Sequence, residues 1–522
     1  MRSGVGPETE RRQNVTVSDT TPVIVGVGQF VERIDAPDYA GLSFADLSER
    51  AAAAAIADAG ADIAGRIKAV GSVRTFEESG AMQVPFGRAE KMPLAVARRL
   101  GLKPDVAILH KVGGQSPLAL IADLGEKIAC GEVEGALAFG SEAISTVRHL
   151  LAKGENRDWA EHDDGEMIDM GMGFEGTLSP VSMAHGIRAP VVAYALCENA
   201  RRARLGLSRQ DYALEMGKLF APFTDVAARN PYSSAAVKPM SAEEIATVSE
   251  RNRMIADPYP LKMVSRDQVN QAAAVVLMSV KAAREAGVPE DKWVYLHGAA
   301  LATEREILDR PAVDAYPAAK GAIDSAFATA GKSADDMAAF DFYSCFPIPV
   351  FNAAVEYLAL SPEDPRGLTV TGGLPYFGGA GNNYSMHAFA SMTERLRQKP
   401  GSFGFVGLNG GFQSKYGAAI LSTSPREWPG CETKSVQDKL DAVPKPVLAE
   451  KPAGAGTVGT YTVVYAKADP VQAIVIGDLE SGGRFIAESR DPATIAAMIE
   501  SDPLGRAVTV TPDEKRNGFV LA

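Results

Sequence analysis

The chain has 522 residues and a net charge of -12, with 46% hydrophobic and 23% charged residues. This balance is typical of a soluble globular protein, and the length fits about three domains. The acidic charge argues against nucleic acid or an anionic membrane as the main partner, because both require a basic surface.

Residues 1–21 are polar and lack an apolar centre, which predicts a flexible N-terminal tail and not a secretory signal. No apolar run approaches the length of about 20 residues that spans a bilayer, so we expect a cytoplasmic protein. The cysteines are widely spaced, so neither a disulfide framework nor a metal site is expected. They are Cys130, Cys197, Cys345 and Cys431.

The N-terminal half alternates short apolar runs with helical patterns, which predicts parallel strands joined by helices. The predicted strands are Pro22–Gly28, Ile67–Val73, Val106–Leu109, Gly135–Phe139 and Ala272–Ser279. The predicted helices are Phe44–Ala59, Pro93–Leu100 and one from Pro117. We assign residues 22–149 and 268–280 to this half. Residues 150–267 are polar and rich in Met, which predicts an inserted loop domain with helices at Ala193–Arg204 and Ser208–Leu219.

The turn from His110 to Pro117 carries Gly113 and Gly114 between a strand and a helix. We predict that Ser116 is the N-cap and Pro117 the first helical residue. Such a turn presents free backbone N–H groups that suit an oxyanion or an anionic ligand. An ordinary strand-to-helix turn explains these residues equally well.

Residues 281–430 repeat the element order of the first half, which suggests internal duplication. The predicted strands are Trp293–Ala302, Ala339–Phe342, Leu368–Thr371, Phe403–Leu408 and Ala418–Ser422. The predicted helices are Pro317–Ala330, Pro347–Leu358 and Asn383–Arg395. Two similar halves would place an active face where the strand ends of both halves meet.

A linker is predicted at residues 431–455, followed by a small domain at 456–522. Its predicted strands are Thr457–Tyr465, Gln472–Leu479, Arg484–Ala487, Arg506–Thr511 and Phe519–Ala522, with a helix at Pro492–Glu500. Five strands and one helix fit an OB-like β-barrel, and a split sheet is the alternative.

Three segments of the second half are candidates for chemistry. Tyr343 and Cys345 lie where a strand breaks into a helix, and a thiol near a helix N-terminus can have a depressed pKa. Simple packing is the favoured interpretation for Cys345. Residues 371–387 form a glycine-rich loop whose Asn pair can donate hydrogen bonds to a carbonyl or phosphate. His387 fits a core histidine better than a base. A third segment, residues 408–413, ends a strand in glycines.

The order of these segments, with Gly140-Ser141-Glu142 after a strand and Asn270-Gln271-Ala272-Ala273 at the approach to the second half, resembles the thiolase superfamily over residues 20–425. The C-terminal domain and the motif variants most resemble thiolase-like proteins of type 1. The resemblance implies an α/β fold of two halves in five αβαβα layers. It also implies acyl-CoA thioesters as ligands and acyl transfer of the acetyl-CoA acetyltransferase type in lipid metabolism.

Compared with that family, the catalytic side chains are replaced. Gly113 stands where the nucleophilic Cys is expected, Tyr343 opens the Asn-Glu-Ala-Phe or His-Asp-Cys-Phe motif, and Gly379 takes the His position of Gly-His-Pro. Leu408 takes the Cys position of Cys-x-Gly, whose glycine is Gly410. The backbone N–H groups of Gly113 and Gly410 match an oxyanion hole of the family, so they are predicted to polarise a thioester carbonyl.

Three hypotheses follow. The family resemblance favours an acyltransferase, although Gly113 cannot carry an acyl group. Tyr343 favours aldolase-type C–C cleavage of a β-hydroxyacyl-CoA, as in thiolase-like steroid aldolases that it resembles. A tyrosine that only fills the space left by the lost catalytic residues is the alternative for Tyr343. The losses favour a non-catalytic acyl-CoA-binding or scaffold protein. The predicted site comprises Tyr343 and Cys345 as catalytic candidates, Gly113 and Gly410 as oxyanion donors, and Tyr376, Gly379, Asn382 and Asn383 as the substrate loop. No cofactor is expected besides the coenzyme A thioester, and we expect a monomer or homodimer.

Overall fold

The computed structural model describes residues 16–522, so most of the predicted tail lies outside the described residues. The described end of the tail is tied to the body of the protein. Ser18 N–H donates to Glu427 Oε1 at 2.6 Å, and Thr21 Oγ1 donates to Glu427 Oε2 at 2.8 Å. Within residues 16–522, no helix combines the length and apolarity needed to cross a bilayer.

The N-terminal half follows the predicted alternation of strands and helices. Its elements are β1 (Pro22–Val31), α1 (Phe44–Asp58), β2 (Ala69–Val73), α2 (Met92–Arg99), β3 (Val106–His110), α3 (Ser116–Ala129), β4 (Gly135–Glu142) and α4 (Ile144–Lys153). The insertion contains β5 (Ile168–Asp169), α5 (Pro180–Ala184), α6 (Pro190–Leu205), α7 (Arg209–Arg229), α8 (Ala242–Ala246), β6 (Met254–Ala256) and β7 (Tyr259–Pro260). Both helices predicted there are present and are longer than expected.

The rest of the core begins with β8 (Gln271–Ser279), which returns to the first sheet. The elements after it are α9 (Val280–Ala286), β9 (Tyr295–Thr303), α10 (Pro317–Ala330), β10 (Met337–Phe342), α11 (Pro347–Val350), α12 (Tyr384–Arg397), β11 (Phe403–Gly410) and β12 (Lys415–Ser422). Helix α11 continues as a π-helix over Phe351–Tyr357, where an α-helix through Leu358 was predicted.

Both core sheets are mixed, which corrects the expectation of parallel strands. The first has the order β1-β8-β4-β2-β3-β5, and β8 runs antiparallel to β1 and β4. The second has the order β10-β11-β12-β9, and β10 and β11 are its parallel pair. Strand β12 is antiparallel because four hairpin residues join it to β11, whereas a parallel neighbour needs a long crossover.

The core has the expected five layers. Helices α3 and α12 lie between the two sheets, where Leu120 and Phe389 pack among buried residues of both. Helix α1 covers the outer face of the first sheet and α10 that of the second. The same close contact between a strand glycine and the outer helix occurs in each half. A Cβ on Gly28 would lie 2.2 Å from a carbonyl oxygen of α1, and a Cβ on Gly298 would lie 2.1 Å from a carbonyl oxygen of α10.

The prediction of a strand at Leu368–Thr371 is wrong, because the backbone of this segment forms hydrogen bonds with a buried carboxylate and does not pair with a strand. Asp341 Oδ2 accepts hydrogen bonds from Val370 N at 2.9 Å, Thr371 N at 3.1 Å and Thr369 Oγ1 at 2.9 Å. The apolar and β-branched residues that suggested a strand therefore lie beside β10 as an irregular segment.

The C-terminal region forms a small closed barrel. Its elements are α13 (Lys434–Asp441), β13 (Gly454–Ala466), β14 (Asp469–Leu479), β15 (Arg484–Ser489), α14 (Pro492–Glu500), β16 (Ala507–Thr511) and β17 (Gly518–Leu521). The five strands close in the order β13-β14-β15-β17-β16, and β13 also pairs with β6 of the insertion. Helix α13 lies within the stretch that was predicted to be a linker.

Candidate active site

The turn between β3 and α3 meets the glycine-rich loop of the second half. Gly113 has a φ of 133°, a conformation that favours glycine. Its N–H donates to Asn382 Oδ1 at 2.8 Å, and Asn382 Nδ2 donates to the Arg74 carbonyl at 2.7 Å. An oxyanion at the Gly113 N–H would therefore have to displace the Asn382 oxygen. Ser116 is not the predicted N-cap, because it is the first helical residue and its Oγ donates to the Lys111 carbonyl at 2.5 Å.

The two predicted oxyanion glycines are brought together, and Gln115 lies against both. A Cβ on Gly410 would lie 3.2 Å from Gly113 Cα. The Gln115 amide oxygen would be 2.4 Å from that Cβ and 2.2 Å from a Cβ on Gly113. Gln115 Oε1 is buried without a hydrogen-bond partner among the described residues. The space of a cysteine side chain at position 113 is therefore filled by an amide.

Tyr343 follows β10, and its ring packs on the turn between β3 and α3. A Cβ on Gly114 would be 2.4 Å from Tyr343 Cε2, so the ring packs directly on that glycine. The ring also makes an edge contact with Tyr384 at a centroid distance of 5.3 Å. Burial, with a smaller effect of the Cys345 thiol, raises the pKa of Tyr343 well above its usual range. The phenol is therefore protonated at neutral pH.

Cys345 belongs to a buried network and is not an activated thiol. Asn409 Nδ2 lies 3.5 Å from its Sγ and 2.7 Å from the Tyr194 hydroxyl, and the Tyr316 hydroxyl donates to Asn409 Oδ1 at 2.8 Å. Burial raises the pKa of Cys345 to about 12, although hydrogen bonds from Tyr194 and Asn409 oppose this shift. The helix N-terminus therefore does not depress this pKa, and the packing interpretation holds.

The substrate-loop residues are held by the core. A Cβ on Gly379 would lie 2.1 Å from Ser265 Oγ, so Ser265 fills the space of a side chain there. Asn383 Nδ2 donates to the Gly140 carbonyl at 2.6 Å. The Tyr376 hydroxyl is buried with no hydrogen-bond partner in the described chain.

His387 is a core histidine, as the sequence indicated. Its Nδ1 lies 2.8 Å from Gln29 Oε1, and burial lowers its pKa to about 3. The imidazole is therefore neutral, and it packs between Gln29 of β1 and the Phe377 ring.

A buried carboxyl group, Glu142, lies behind the loop. Its Oε1 accepts a hydrogen bond from Phe76 N at 2.9 Å and would be 2.0 Å from a Cβ on Gly381. Burial raises the pKa of Glu142 well above its usual range, and the neighbouring Glu77 and Glu78 add to this shift. Glu142 is therefore a neutral acid that packs against the loop.

Sequence reasoning missed four residues of the site: Gln115, Glu142, Ser265 and Asn409. Gln115 and Asn409 are next to predicted glycines, so proximity along the chain could have suggested them. Glu142 lies in the Gly140-Ser141-Glu142 segment, which served only as a family landmark. Ser265 carries no local signal, because it lies in the insertion and reaches Gly379 only through the fold.

Comparisons with known proteins agree with this architecture. The chain is 45% identical to a monomeric SCP2-thiolase-like protein type 1 from Mycobacterium smegmatis, with a TM-score of 0.83 over 97% of this chain and 100% of that one. It shares the fold of an Ltp2–ChsH2(DUF35) aldolase at 18% identity, with a TM-score of 0.54 over 77% and 98% of the two chains. It also shares the fold of an acetyl-CoA acetyltransferase from Syntrophomonas wolfei at 17% identity, with a TM-score of 0.53 over 77% and 99%. Residues 435–515 match the additional C-terminal domain of thiolase-like protein type 1. No curated protein matches the sequence.

Proposed function

The chain belongs to the SCP2-thiolase-like proteins of type 1, and we propose that it binds acyl-CoA thioesters without forming an acyl-enzyme. The observation that carries this proposal is the filled space at Gly113, where the Gln115 amide would meet any added side chain. A thiolase-type transfer needs a nucleophile that accepts the acyl group, and glycine has none. The positive φ of Gly113 also disfavours any side chain at this position, so the backbone as well as the sequence lacks a place for that nucleophile.

No other described group near the turn replaces the missing nucleophile. Cys345 has a raised pKa and lies in a hydrogen-bond network with Asn409 and Tyr194, so its thiolate population at neutral pH is very small. At Gly379, where the family resemblance implies an acid/base histidine, a Cβ would lie 2.1 Å from Ser265 Oγ. We therefore propose that the protein binds thioesters and does not catalyse ping-pong acyl transfer.

Aldolase-type cleavage is the second candidate, favoured by the position of Tyr343. Its ring packs on Gly114, beside the backbone that would hold a thioester carbonyl, and its phenol keeps its proton because the pKa is raised. In cleavage of a β-hydroxyacyl thioester, the bond between the α and β carbons breaks and the β-hydroxyl proton leaves to water. The Tyr343 phenol would supply the proton that the α carbon takes up.

The remaining assignments belong to the same proposal. We propose that the protein is a monomer, as the Mycobacterium smegmatis relative is described. We also propose, from the sequence alone, that it acts in the cytoplasm in acyl-CoA or lipid metabolism. We assign the C-terminal barrel to the OB type, and its five closed strands with α14 inserted between the third and the fourth support this assignment.

Product analysis by mass spectrometry tests the proposal. The protein is incubated with acetoacetyl-CoA plus CoA, and separately with β-hydroxyacyl-CoAs. We expect saturable binding of the thioesters and no acetyl-CoA from the first mixture. Aldehyde or ketone products from the second mixture that disappear in Tyr343→Phe would establish the aldolase candidate. Thiolysis in the first mixture would contradict the proposal, and its persistence in Cys345→Ala would show that no thiol is required.

A further inference from the structure

A groove of about 550 Å³ between α3 and β9 carries two buried groups that the proposed function does not use. They are the amine of Lys415, at the start of β12, and the imidazole of His110, at the end of β3. Lys415 is 8% exposed and His110 is 4% exposed. Both side chains are therefore largely shielded from water, yet both line a cavity that is large enough for a small organic molecule.

The Lys415 amine forms no ion pair in the described part of the chain. Its Nζ donates to the Val112 carbonyl at 2.9 Å and to the Gly173 carbonyl. These two acceptors satisfy both N–H bonds of a neutral amine and leave its lone pair free, whereas an ammonium would keep a third N–H bond without a partner. Burial lowers the pKa of Lys415 to about 8, with Glu175 opposing this shift and Lys111 adding to it. A desolvated lysine beside another cation is a typical setting for a nucleophilic amine.

His110 supplies an acid/base group in the wall of the same groove. Its Nε2 lies 3.3 Å from Asp123 Oδ2, so that carboxylate holds a proton on Nε2. Its Nδ1 is buried and has no hydrogen-bond partner among residues 16–522. A buried polar atom without a partner costs free energy, and a ligand that bonds Nδ1 would remove this cost. The imidazole can also gain and lose a proton near neutral pH.

The Lys415 amine lies on the opposite side of the turn from the predicted oxyanion donor. The Val112 carbonyl and the Gly113 N–H belong to one trans peptide, in which the two groups point in opposite directions. Lys415 bonds the carbonyl, and Asn382 bonds the N–H. The amine is therefore a second centre that does not depend on the proposed function.

We propose that Lys415 condenses with the carbonyl group of a small ketone or aldehyde that enters this groove. The amine lone pair attacks the carbonyl carbon, and one amine proton moves to the oxygen to give a carbinolamine. Protonated His110 gives its proton to the carbinolamine hydroxyl, which leaves as water while the nitrogen lone pair forms the C=N bond. The product is a protonated imine between Lys415 and the ligand, and His110 regains a proton from water.

Reductive trapping on the full chain tests this centre. The protein is incubated at pH 7 with hydroxyacetone and sodium cyanoborohydride, which reduces an imine to a stable secondary amine, and peptide mapping by mass spectrometry locates the adducts. We expect the labelling of Lys415 to be about tenfold faster than that of exposed Lys103, because a larger share of the Lys415 amine is neutral. Labelling of Lys415 that is no faster than that of Lys103 would overturn the proposal.

Variants separate the nucleophile from its proton donor. Lys415→Arg keeps N–H donors for the two carbonyls but cannot form an imine, so the fast adduct should disappear, whereas Lys103→Arg is the matched control and should leave it unchanged. His110→Gln should slow the labelling of Lys415 by about tenfold or more, with labelling of Lys103 in the same sample unchanged. Melting temperatures check that the variants fold. An undiminished fast adduct in Lys415→Arg would overturn the proposal, and an unchanged Lys415 rate in His110→Gln would overturn the role of His110.

Discussion

At the scale of single residues, three glycines of the candidate site each have a neighbouring side chain in the space that a Cβ would take. Gln115 lies against Gly113, Tyr343 against Gly114 and Ser265 against Gly379. Close packing of this kind makes each glycine necessary for its neighbour, since a methyl group added to a filled site forces the structure to shift. The glycines and their neighbours therefore form one packed arrangement.

Gly114→Ala tests this packing. The new Cβ would be 2.3 Å from the Asn409 carbonyl oxygen and 2.4 Å from Tyr343 Cε2, so we expect a loss of about 2 kcal/mol in the free energy of unfolding. Combining it with Tyr343→Ala should recover part of that loss, because the two residues are in contact. Gly65→Ala is the control, since an added Cβ meets nothing within 4 Å there. Urea denaturation measures the free energy of unfolding of all these variants. If Gly114→Ala costs the same with and without the Tyr343 ring, the contact between the two residues is refuted.

Glu77 gives a prediction on pH. Burial, with Glu78 adding, raises the pKa of Glu77 from 4.5 to about 8, while Arg88 opposes the shift. The folded protein thus holds a proton that the unfolded chain releases, so this group's stabilising contribution is lost as the pH rises from 4.5 to 8. Glu77→Gln should raise the melting temperature more at pH 8 than at pH 5. The control is Glu250→Gln at an exposed position, which should leave the melting temperature unchanged at both pH values. An increase for Glu77→Gln that is the same at both pH values would be evidence against the buried acid.

At the scale of elements, Asp341 replaces a strand pairing with side-chain hydrogen bonds. Besides four groups of the Leu368–Thr371 segment, it accepts a hydrogen bond from the Tyr384 hydroxyl at 3.2 Å, which links β10 to α12. Helix α12 begins directly after Asn382 and Asn383. The carboxylate therefore helps to position the glycine-rich loop through both of its flanking elements.

Asp341→Asn should lower the free energy of unfolding by about 3 kcal/mol, because the new amide NH₂ would face donors in a buried site. Thr371→Val, which removes one of the bonds to the same carboxylate, is expected to cost less. Urea denaturation of both variants measures the difference. A cost of Asp341→Asn no larger than that of Thr371→Val would show that the carboxylate is not the organising group.

Sequence periodicity predicted most elements of the core, because α1, α3, α10 and α12 bury apolar residues at helical spacing, and α1 begins with a capping box and α10 ends at a glycine. It failed at Leu368–Thr371, where the segment donates hydrogen bonds to the carboxylate of Asp341, which is 27 residues or more away along the chain. The site was partly predictable for a similar reason. Glycines and Tyr343 stand out locally, whereas the contact of Gln115 with Gly410 depends on how the two halves meet and that of Ser265 with Gly379 on how the insertion packs on the second half.

At the scale of the whole molecule, the C-terminal barrel is fixed to the insertion by buried polar contacts. Arg202 of α6 is 1% exposed and donates to both carboxylate oxygens of Asp502, at 2.6 and 2.9 Å. The Tyr461 hydroxyl donates to Asp257 Oδ2 at 3.0 Å, and Asn199 Nδ2 donates to the Tyr461 carbonyl at 3.0 Å. The barrel thus stabilises the helix that also carries Tyr194, a neighbour of Cys345.

Asp502→Ala leaves the Arg202 charge buried without its carboxylate partner, so we expect a loss of about 2 kcal/mol in stability. The stretch between α13 and β13 should become easier to cleave, which limited proteolysis and mass spectrometry can measure. Combining Asp502→Ala with Arg202→Met removes the unpaired charge and should restore part of the resistance. Cleavage at the wild-type rate in Asp502→Ala would argue that other contacts hold the barrel.

The central claim is that the site holds an acyl thioester and forms no acyl-enzyme. Intact-mass spectrometry of the protein saturated with acetyl-CoA, with saturation established by equilibrium binding of the same sample, tests it most directly. We predict saturable binding and an unchanged protein mass. An acetyl group attached to the protein at a stoichiometry that follows the binding curve would contradict the claim.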